Sequence, residues 1–385
     1  MFNRLKNVLI DFIQQADLLL LALCVGSTLF GMVLIASATH YMGTTKYVVV
    51  QGAALLIGVV AYILLSVIDV EVVARKWKWL LLFNIGFICM LVPFGVSRNG
   101  NRAWIQFPWM PTAIQPSEIV KITFIILLAY QLEWIWQEKR ELKSFHSVFP
   151  PAFHLLFMVG LIYVVSGDMG SALVYVFIFL CMAVAAGMAW RWFLVGFAGG
   201  AAGIFGIYKI GKMPSYMMDR FHAIFDHTYQ PLGAGWQQTR SLLAIGSGRW
   251  FGQGLFHGTQ TQSATASSLP YRHTDFIFAV AGEEIGFVGC IVIIVLLIAI
   301  IFRCLQVARR ARSPFSSYVC VGMAGMLIFQ TIENIGMCLF VMPVIGLTLP
   351  FFSYGGSSIV TLYAAMGIVS GIKKRAIPDR LKVLR

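Results

Sequence analysis

Charge is what this sequence has least of. Asp, Glu, Lys and Arg make up 12% of its 385 residues, against 59% hydrophobic. A water-facing surface needs about 25% charged residues, so a soluble globular domain is excluded. Signatures of metal and thiol chemistry are missing as well. The seven cysteines (Cys24, Cys89, Cys181, Cys290, Cys304, Cys320, Cys338) form no CxxC pair and are odd in number, so neither a disulfide framework nor a thiolate zinc site is supported. Seven scattered histidines give no metal-ligand spacing. There is no GxSxG, HExxH or kinase signature, and LPFFSYGGSS lacks the Gly-Lys-Ser/Thr ending of a Walker loop. No internal repeat is found, which disfavours an inverted-repeat transporter.

Long apolar runs are what the chain has instead. Ten occur, at about 18–36, 47–68, 79–94, 119–136, 149–166, 171–189, 192–208, 276–302, 315–341 and 354–372. Each is near the 17–25 residues that cross about 30 Å of hydrocarbon. Backbone amides in lipid must be satisfied within the segment, and the alternation of a membrane barrel is absent, so these runs predict helices. The fold class expected is an all-α polytopic membrane protein with ten transmembrane helices, one integral-membrane unit over residues 1–385.

The net charge of +13 is a topology marker, because no basic domain interleaved with aromatics exists to bind nucleic acid. With the N-terminus in the cytosol, one set of loops and the basic tail at about 373–385 collect most of the 29 Lys and Arg residues. The start of the chain lacks a small-residue cleavage site and reads as a cytosolic tail before a retained helix. Both termini are therefore placed in the cytosol. Two outer segments exceed a mere connection: residues 95–118, rich in Trp, Pro and Arg, and a loop at about 209–275 between helices seven and eight.

Ionisable groups at membrane depth cost several kcal/mol, which makes each one a functional candidate. Asp275, at the outer mouth of helix eight beside Arg272 and His273, suits a general base whose proton affinity is raised by desolvation. It equally suits a helix N-terminal carboxylate favoured by the macrodipole. Asp168, between Gly167 and Gly170, reads as an Asx-type cap or a cavity carboxylate. Glu118 and Lys121 follow Pro116 with a spacing of three, which allows an ion pair or a polar cavity floor. Glu283 and Glu284 lie roughly 12–14 Å deeper than Asp275 along a continuous helix. They read as packing or interhelical contacts, as does Glu333 with Asn334.

Five motifs taken together resemble the SEDS family (shape, elongation, division, sporulation). They are NGNRAWIQF at 99–107, QPSEIVK at 115–121, GDMGSA at 167–172, HTDFIFAVAGEEIGFVG at 273–289 and NIGMCLFVMPVIGLTLPFFSYGGSS at 334–358. Their order, and the long outer loop before helix eight, match the family almost from end to end.

The resemblance implies a SEDS-type bundle in the bacterial cytoplasmic membrane. Its implied activity is peptidoglycan glycosyltransferase: polymerisation of lipid II at the outer membrane face, beside a class B penicillin-binding protein and elongation-machinery proteins. The family's essential carboxylate falls on Asp275 and its GDxG aspartate on Asp168. Its loop tryptophan falls on Trp104, and its Glu–Lys pair on Glu118 and Lys121. Where many members carry a basic residue immediately before that tryptophan, this chain has Ala103, with Arg102 one position earlier. Arg102, Lys121 and Arg272 are candidate pyrophosphate contacts, and His273 and Ser353 complete the implied cavity. A divalent cation (Mg or Mn) is the one cofactor admitted, with no organic cofactor and no assigned metal ligands. NIGM and GTQTQ are most similar to RodA, the elongation member, whereas GLTLPFFSYGGSS and AGEEIG resemble FtsW. A lipid II flippase and a division or sporulation polymerase are the alternative readings.

Overall fold

The computed structural model describes residues 16–98, 101–107, 113–138, 141–210, 215–226, 233, 235–265 and 268–376. The N-terminal tail before residue 16 and the basic tail beyond residue 376 lie outside the described residues.

Asp17 caps the first helix by accepting from the Leu20 amide. The elements then run α1 (Leu18–His40), α2 (Lys46–Val67), α3 (Val70–Ala74), α4 (Trp77–Cys89) and α5 (Leu91–Phe94), followed by strands β1 (Gly95–Arg98) and β2 (Asn101–Ile105). Next come α6 (Pro116–Gln137), α7 (Phe145–Ser166), α8 (Met169–Ala185), α9 (Trp190–Lys209), α10 (Ser215–Phe225) and α11 (Trp236–Gly248). The chain closes with α12 (Ile277–Glu284), α13 (Gly286–Arg309), α14 (Pro314–Cys338) and α15 (Gly356–Ala376). Among the described residues, eight helical spans are long and apolar enough to cross a membrane: α1, α2, α4 with α5, α6, α7, α13, α14 and α15. Helix α8 is a shorter apolar helix.

The bundle is built around α6, α14 and α15, the most enclosed of the spans. Helix α15 lies tightly against α2, because a Cβ on Gly367 would stand 2.6 Å from the Tyr62 carbonyl oxygen. Small residues of this kind allow membrane helices to approach closely, where dispersion drives association. One end is stapled by charge. The fully buried Asp17 carboxylate takes Arg303 Nε at 2.8 Å and Lys373 Nζ at 3.0 Å, tying the start of α1 to the ends of α13 and α15.

The first outer segment carries a short hairpin in the otherwise helical bundle. β1 and β2 pair antiparallel, with Val96 opposite Trp104 and a register shift between Val96 and Arg98. An Asn-Gly pair at 99–100 flanked by short extended runs is a hairpin signal.

One expectation is corrected, at helix eight. The continuous helix expected over 276–302 breaks between α12 and α13 at Gly286, whose φ of +77° suits glycine. The surrounding loop mends the break. The amides of Gln253 and Gly254 donate to the carbonyls of Glu283 and Glu284, while Phe287 and Val288 donate to the carbonyls of Arg249 and Trp250. The groups that an interrupted helix would leave orphaned are thus satisfied from outside it.

Candidate active site

The site grows from the non-helical crossing between α14 and α15, residues 339–355. Backbone without helical pairing is tolerated at membrane depth only when protein satisfies it. Here side chains from three directions do so, and a glycine from a fourth lets its helix approach. Arg220 of α10 donates from Nη1 to the Val344 carbonyl at 2.6 Å. Asn334 of α14 donates to the Leu347 carbonyl at 2.7 Å. Gln51 of α2 donates to the Ser353 carbonyl at 3.1 Å and accepts from the Gly355 amide. From α8, Gly170 lies so near Ile345 that a Cβ would stand 2.7 Å from its carbonyl oxygen. Phe340 (φ 58°) and Phe351 (φ 68°) turn the corners of the crossing in the left-handed region, which costs a bulky residue on the order of 1–3 kcal/mol.

Asp275 meets this crossing directly. A tight turn presents it, with the amides of Thr274, Asp275 and Phe276 all converging on the Tyr271 carbonyl. The same Asn334 amide group that holds Leu347 also donates to the Asp275 carbonyl at 2.7 Å. One asparagine therefore fixes both the carboxylate's backbone and the strand facing it. The open side of Gly346 faces the carboxylate, where a Cβ would lie 3.9 Å from Asp275 Oδ2. Burial pushes the Asp275 carboxyl up to about 6, with a hydrogen bond from Thr274 opposing. This group is ionised at neutral pH yet basic enough to take a proton.

His273 stacks between Tyr47 and Tyr354, with ring centroids 4.7 and 5.8 Å away, and its carbonyl accepts from the Tyr354 amide. Burial, then the adjacent Arg272 charge, lowers its ring to about 4, so it is neutral at physiological pH. Ser353 is buried and its Oγ accepts from the Leu349 amide, which makes it a turn residue of the crossing.

Asp168 caps α8. Its Oδ1 accepts from the Ser171 amide, and its Oδ2 accepts from Ser171 Oγ and Gln115 Nε2. Ser117 and Ser171 share a hydrogen bond, and Tyr175 donates to the Ser117 carbonyl. These contacts join the Asp168 turn to the head of α6. There Glu118 and Lys121 form a buried ion pair at 2.6 Å. The hairpin reaches the same turn, since a Cβ on Gly167 would lie 3.6 Å from Asn101 Oδ1. Trp104 is half-buried on β2, and the exposed Arg102 donates to the Gly95 carbonyl at 3.1 Å.

Arg272 is placed differently from its neighbours. Its guanidinium donates to the carbonyls of Gln260, Thr261 and Ser263 and to Ser268 Oγ, and lies 3.9 Å from the centre of the Tyr41 ring. It organises the outer loop. Glu283 does the same from below, accepting from the amides of Gln260 and Thr261 and the hydroxyls of Thr259 and Thr261. The packing role expected of Glu283 is therefore a clasp on the loop.

Three contributors escape a reading of the sequence for catalytic groups: Arg220, Gln115 and Gly346. Gln115 could have been found, being a polar residue beside the first-turn proline of an apolar helix. Glu333 has an unexpected feature. It is 2% exposed, and among the described residues no hydrogen bond of good geometry reaches either carboxyl oxygen.

A family model described as "Cell cycle protein", covering FtsW, RodA and SpoVE, matches residues 17–377. The chain belongs to this family. It is 32% identical over 372 residues to a probable peptidoglycan glycosyltransferase FtsW of Geobacter sp. (strain M18), covering 94% of this chain and 98% of that protein. Stage V sporulation protein E of Bacillus subtilis is 31% identical over 366 residues, covering 93% and 97%. Among solved structures, a chain of a peptidoglycan synthase complex that coordinates polymerization and crosslinking superposes with a TM-score of 0.77 at 29% identity, covering 94% of this chain and 99% of that one. An aspartate-to-alanine mutant of Thermus thermophilus RodA gives 0.67 at 28% identity, with the same coverage. The SEDS fold and family thus stand on both sequence and structure.

Proposed function

We propose that this SEDS protein is a peptidoglycan glycosyltransferase that polymerises lipid II, with Asp275 as general base. The observation that carries the reading is the Asp275 carboxyl, which faces the open side of Gly346 on a turn whose Asp275 backbone carbonyl is held by Asn334, and which burial raises to about 6. Asp275 takes the proton of the acceptor sugar's 4-hydroxyl as that oxygen attacks the donor's anomeric carbon. The bond from that carbon to undecaprenyl pyrophosphate breaks, and the pyrophosphate leaves with the electron pair. Direct displacement inverts the anomeric centre. Cations stabilise the departing charge. Arg272 is committed to the loop and Lys121 is buried against Glu118, which leaves the exposed Arg102 as the most accessible of the three candidates from the sequence.

A divalent cation would add charge neutralisation at the pyrophosphate. Among the described residues no three His, Cys, Asp or Glu side chains converge. A Mg-type ion held mainly by phosphate oxygens and water needs only one or two carboxylates, and Asp275 and the buried Glu333 would fit that demand. The steps above do not depend on it. A class B penicillin-binding protein is the proposed partner for cross-linking, at the outer face of the cytoplasmic membrane with both termini inside.

The cellular role follows the choice among relatives. NIGM and GTQTQ support elongation, whereas relatives named FtsW and SpoVE support division or sporulation. Depletion separates these: rounding of rods assigns elongation, and filamentation assigns division.

The decisive assay runs purified wild type and Asp275→Asn side by side on lipid II in liposomes, with and without the partner and divalent metal. Polymer from wild type alone is expected. Wild-type turnover by the variant would remove Asp275 from the reaction, and polymer from neither would turn attention to lipid II translocation.

A further inference from the structure

The end of the molecule remote from Asp275 carries a second set of features that the polymerase reading does not use. Helix α7 delivers Gly167 and Asp168 to the active site at its C-terminus. Its 22 residues span about 33 Å, so its N-terminus lies at the opposite membrane face. The distribution of Lys and Arg assigns that face to the cytosol. A cavity of about 680 Å³ opens there, lined by Glu141, Lys143, Ser144, His146, Ser147 and Arg191.

The lining is biased toward cations and is preassembled. Arg191 and Trp192 Nε1 both donate to the Lys143 carbonyl, which pins the start of α9 to the start of α7. Arg191 lies over the Trp192 ring and, among the described residues, spends only one of its five donors on a protein acceptor. Glu141 pairs with Lys143 at 3.0 Å, but both side chains are about two-thirds exposed, so the pair contributes little and yields readily.

From this cavity a row of phenylalanines descends along α7 at every fourth position. Phe145, Phe149, Phe153 and Phe157 stack successively, with centroids 5.4, 5.9 and 6.4 Å apart, and Trp192 closes the top at 6.0 Å from Phe145. All four rings are exposed. Twelve residues of helix put about 18 Å between the first and last rings, close to the depth of one leaflet of a 30 Å hydrocarbon core.

We infer that this cavity and ring row form a binding site for a single anionic phospholipid, its phosphate against Lys143, His146 and Arg191 and one acyl chain along the phenylalanine row. Charge complementarity selects an anionic headgroup, and the one-leaflet length of the row selects a phospholipid chain. The inference stands independently of the role of Asp275.

The test uses the full-length protein reconstituted in bilayer discs of phosphatidylcholine containing dioleoylphosphatidylglycerol. Retained lipid is counted by native mass spectrometry and affinity is measured by titration. Wild type is expected to retain one phosphatidylglycerol in preference to phosphatidylcholine. The double variant Lys143→Gln, Arg191→Gln is expected to bind it roughly thirtyfold more weakly, at about one decade or less per cation removed. A second variant, Phe149→Ala with Phe153→Ala, alters only lipid-facing rings and is expected to weaken retention while leaving the headgroup preference. Polymerisation in pure phosphatidylcholine should match wild type in both variants, which certifies their fold. Equal retention of the two lipids by wild type overturns the site. So does undiminished retention by both variants, or complete displacement of the lipid by inorganic phosphate alone, which would show a phosphate site without a lipid.

Discussion

At the scale of single residues, the candidate active site depends on one amide and one carboxyl. Asn334 Nδ2 serves two carbonyls, those of Asp275 and Leu347, and Asn334→Leu would orphan the Leu347 carbonyl and leave that of Asp275 only the weak Cys338 thiol donor at 3.9 Å. An unsatisfied buried backbone group costs about 1–3 kcal/mol, so this variant is expected to lower the thermal midpoint measured by intrinsic fluorescence and to depress turnover together. The Asp275 carboxyl, raised to about 6 by burial, gives a pH dependence with a definite sign. A general base works only when ionised. Polymerisation should therefore be level above about pH 7 and fall about tenfold per unit below pH 6. A flat initial-rate profile across pH 5 to 8 would contradict the assignment. Asp275 was legible in the sequence because an acid at the mouth of an apolar run demands a reason. Arg272 misled, because adjacency in sequence does not say where a side chain points, and its donors go to loop carbonyls. Asn334 was legible only as a polar contact, since its two partners lie 59 and 13 residues away.

At the scale of elements, the break between α12 and α13 carries the argument. The apolar run holds Gly282, Gly286 and Gly289 and no proline, and glycine inside a helix is merely unfavourable, so nothing in it says where, or whether, the helix breaks. Only the pairing of residues 249–254 with both sides of the break explains why it is stable. Two substitutions test this. Gly286→Ala would need a left-handed alanine, with its Cβ 2.3 Å from the Gly252 amide nitrogen. It is expected to destabilise the fold by several kcal/mol, read as loss of monodisperse protein in detergent. Glu283→Ala removes the acceptor for four donors of residues 259–261, and hydrogen exchange of those amides should rise by at least tenfold while the transmembrane helices stay protected. The hairpin, by contrast, carried its signal in the Asn-Gly pair, which the weight of surrounding tryptophan and proline obscured.

At the scale of the whole molecule, the spans were the most legible part, because hydrocarbon imposes a length and forbids unsatisfied backbone. What holds their ends in register was not. The staple of Asp17 with Arg303 and Lys373 joins residues separated by 286 and 356 positions, and no local pattern announces it. Asp17→Asn leaves two cations facing a neutral amide. Because both cations are partly exposed, a loss of about 1–3 kcal/mol is expected, below the cost of breaking a fully buried pair. Lipid II polymerisation at 20 °C should survive this change while the thermal midpoint falls.

The mended break also has a mechanical side. Asp275 stands immediately before α12, and α12 is gripped at its far end by the loop at 249–262 through Glu283, Glu284 and two backbone carbonyls. Helix α13, anchored in the bilayer, is joined to α12 through a glycine and to the loop through two amides. The short helix is thus clamped between the loop and the segment that bears Asp275, so a displacement of the loop would reach that carboxylate through backbone hydrogen bonds, without anything touching Asp275 itself.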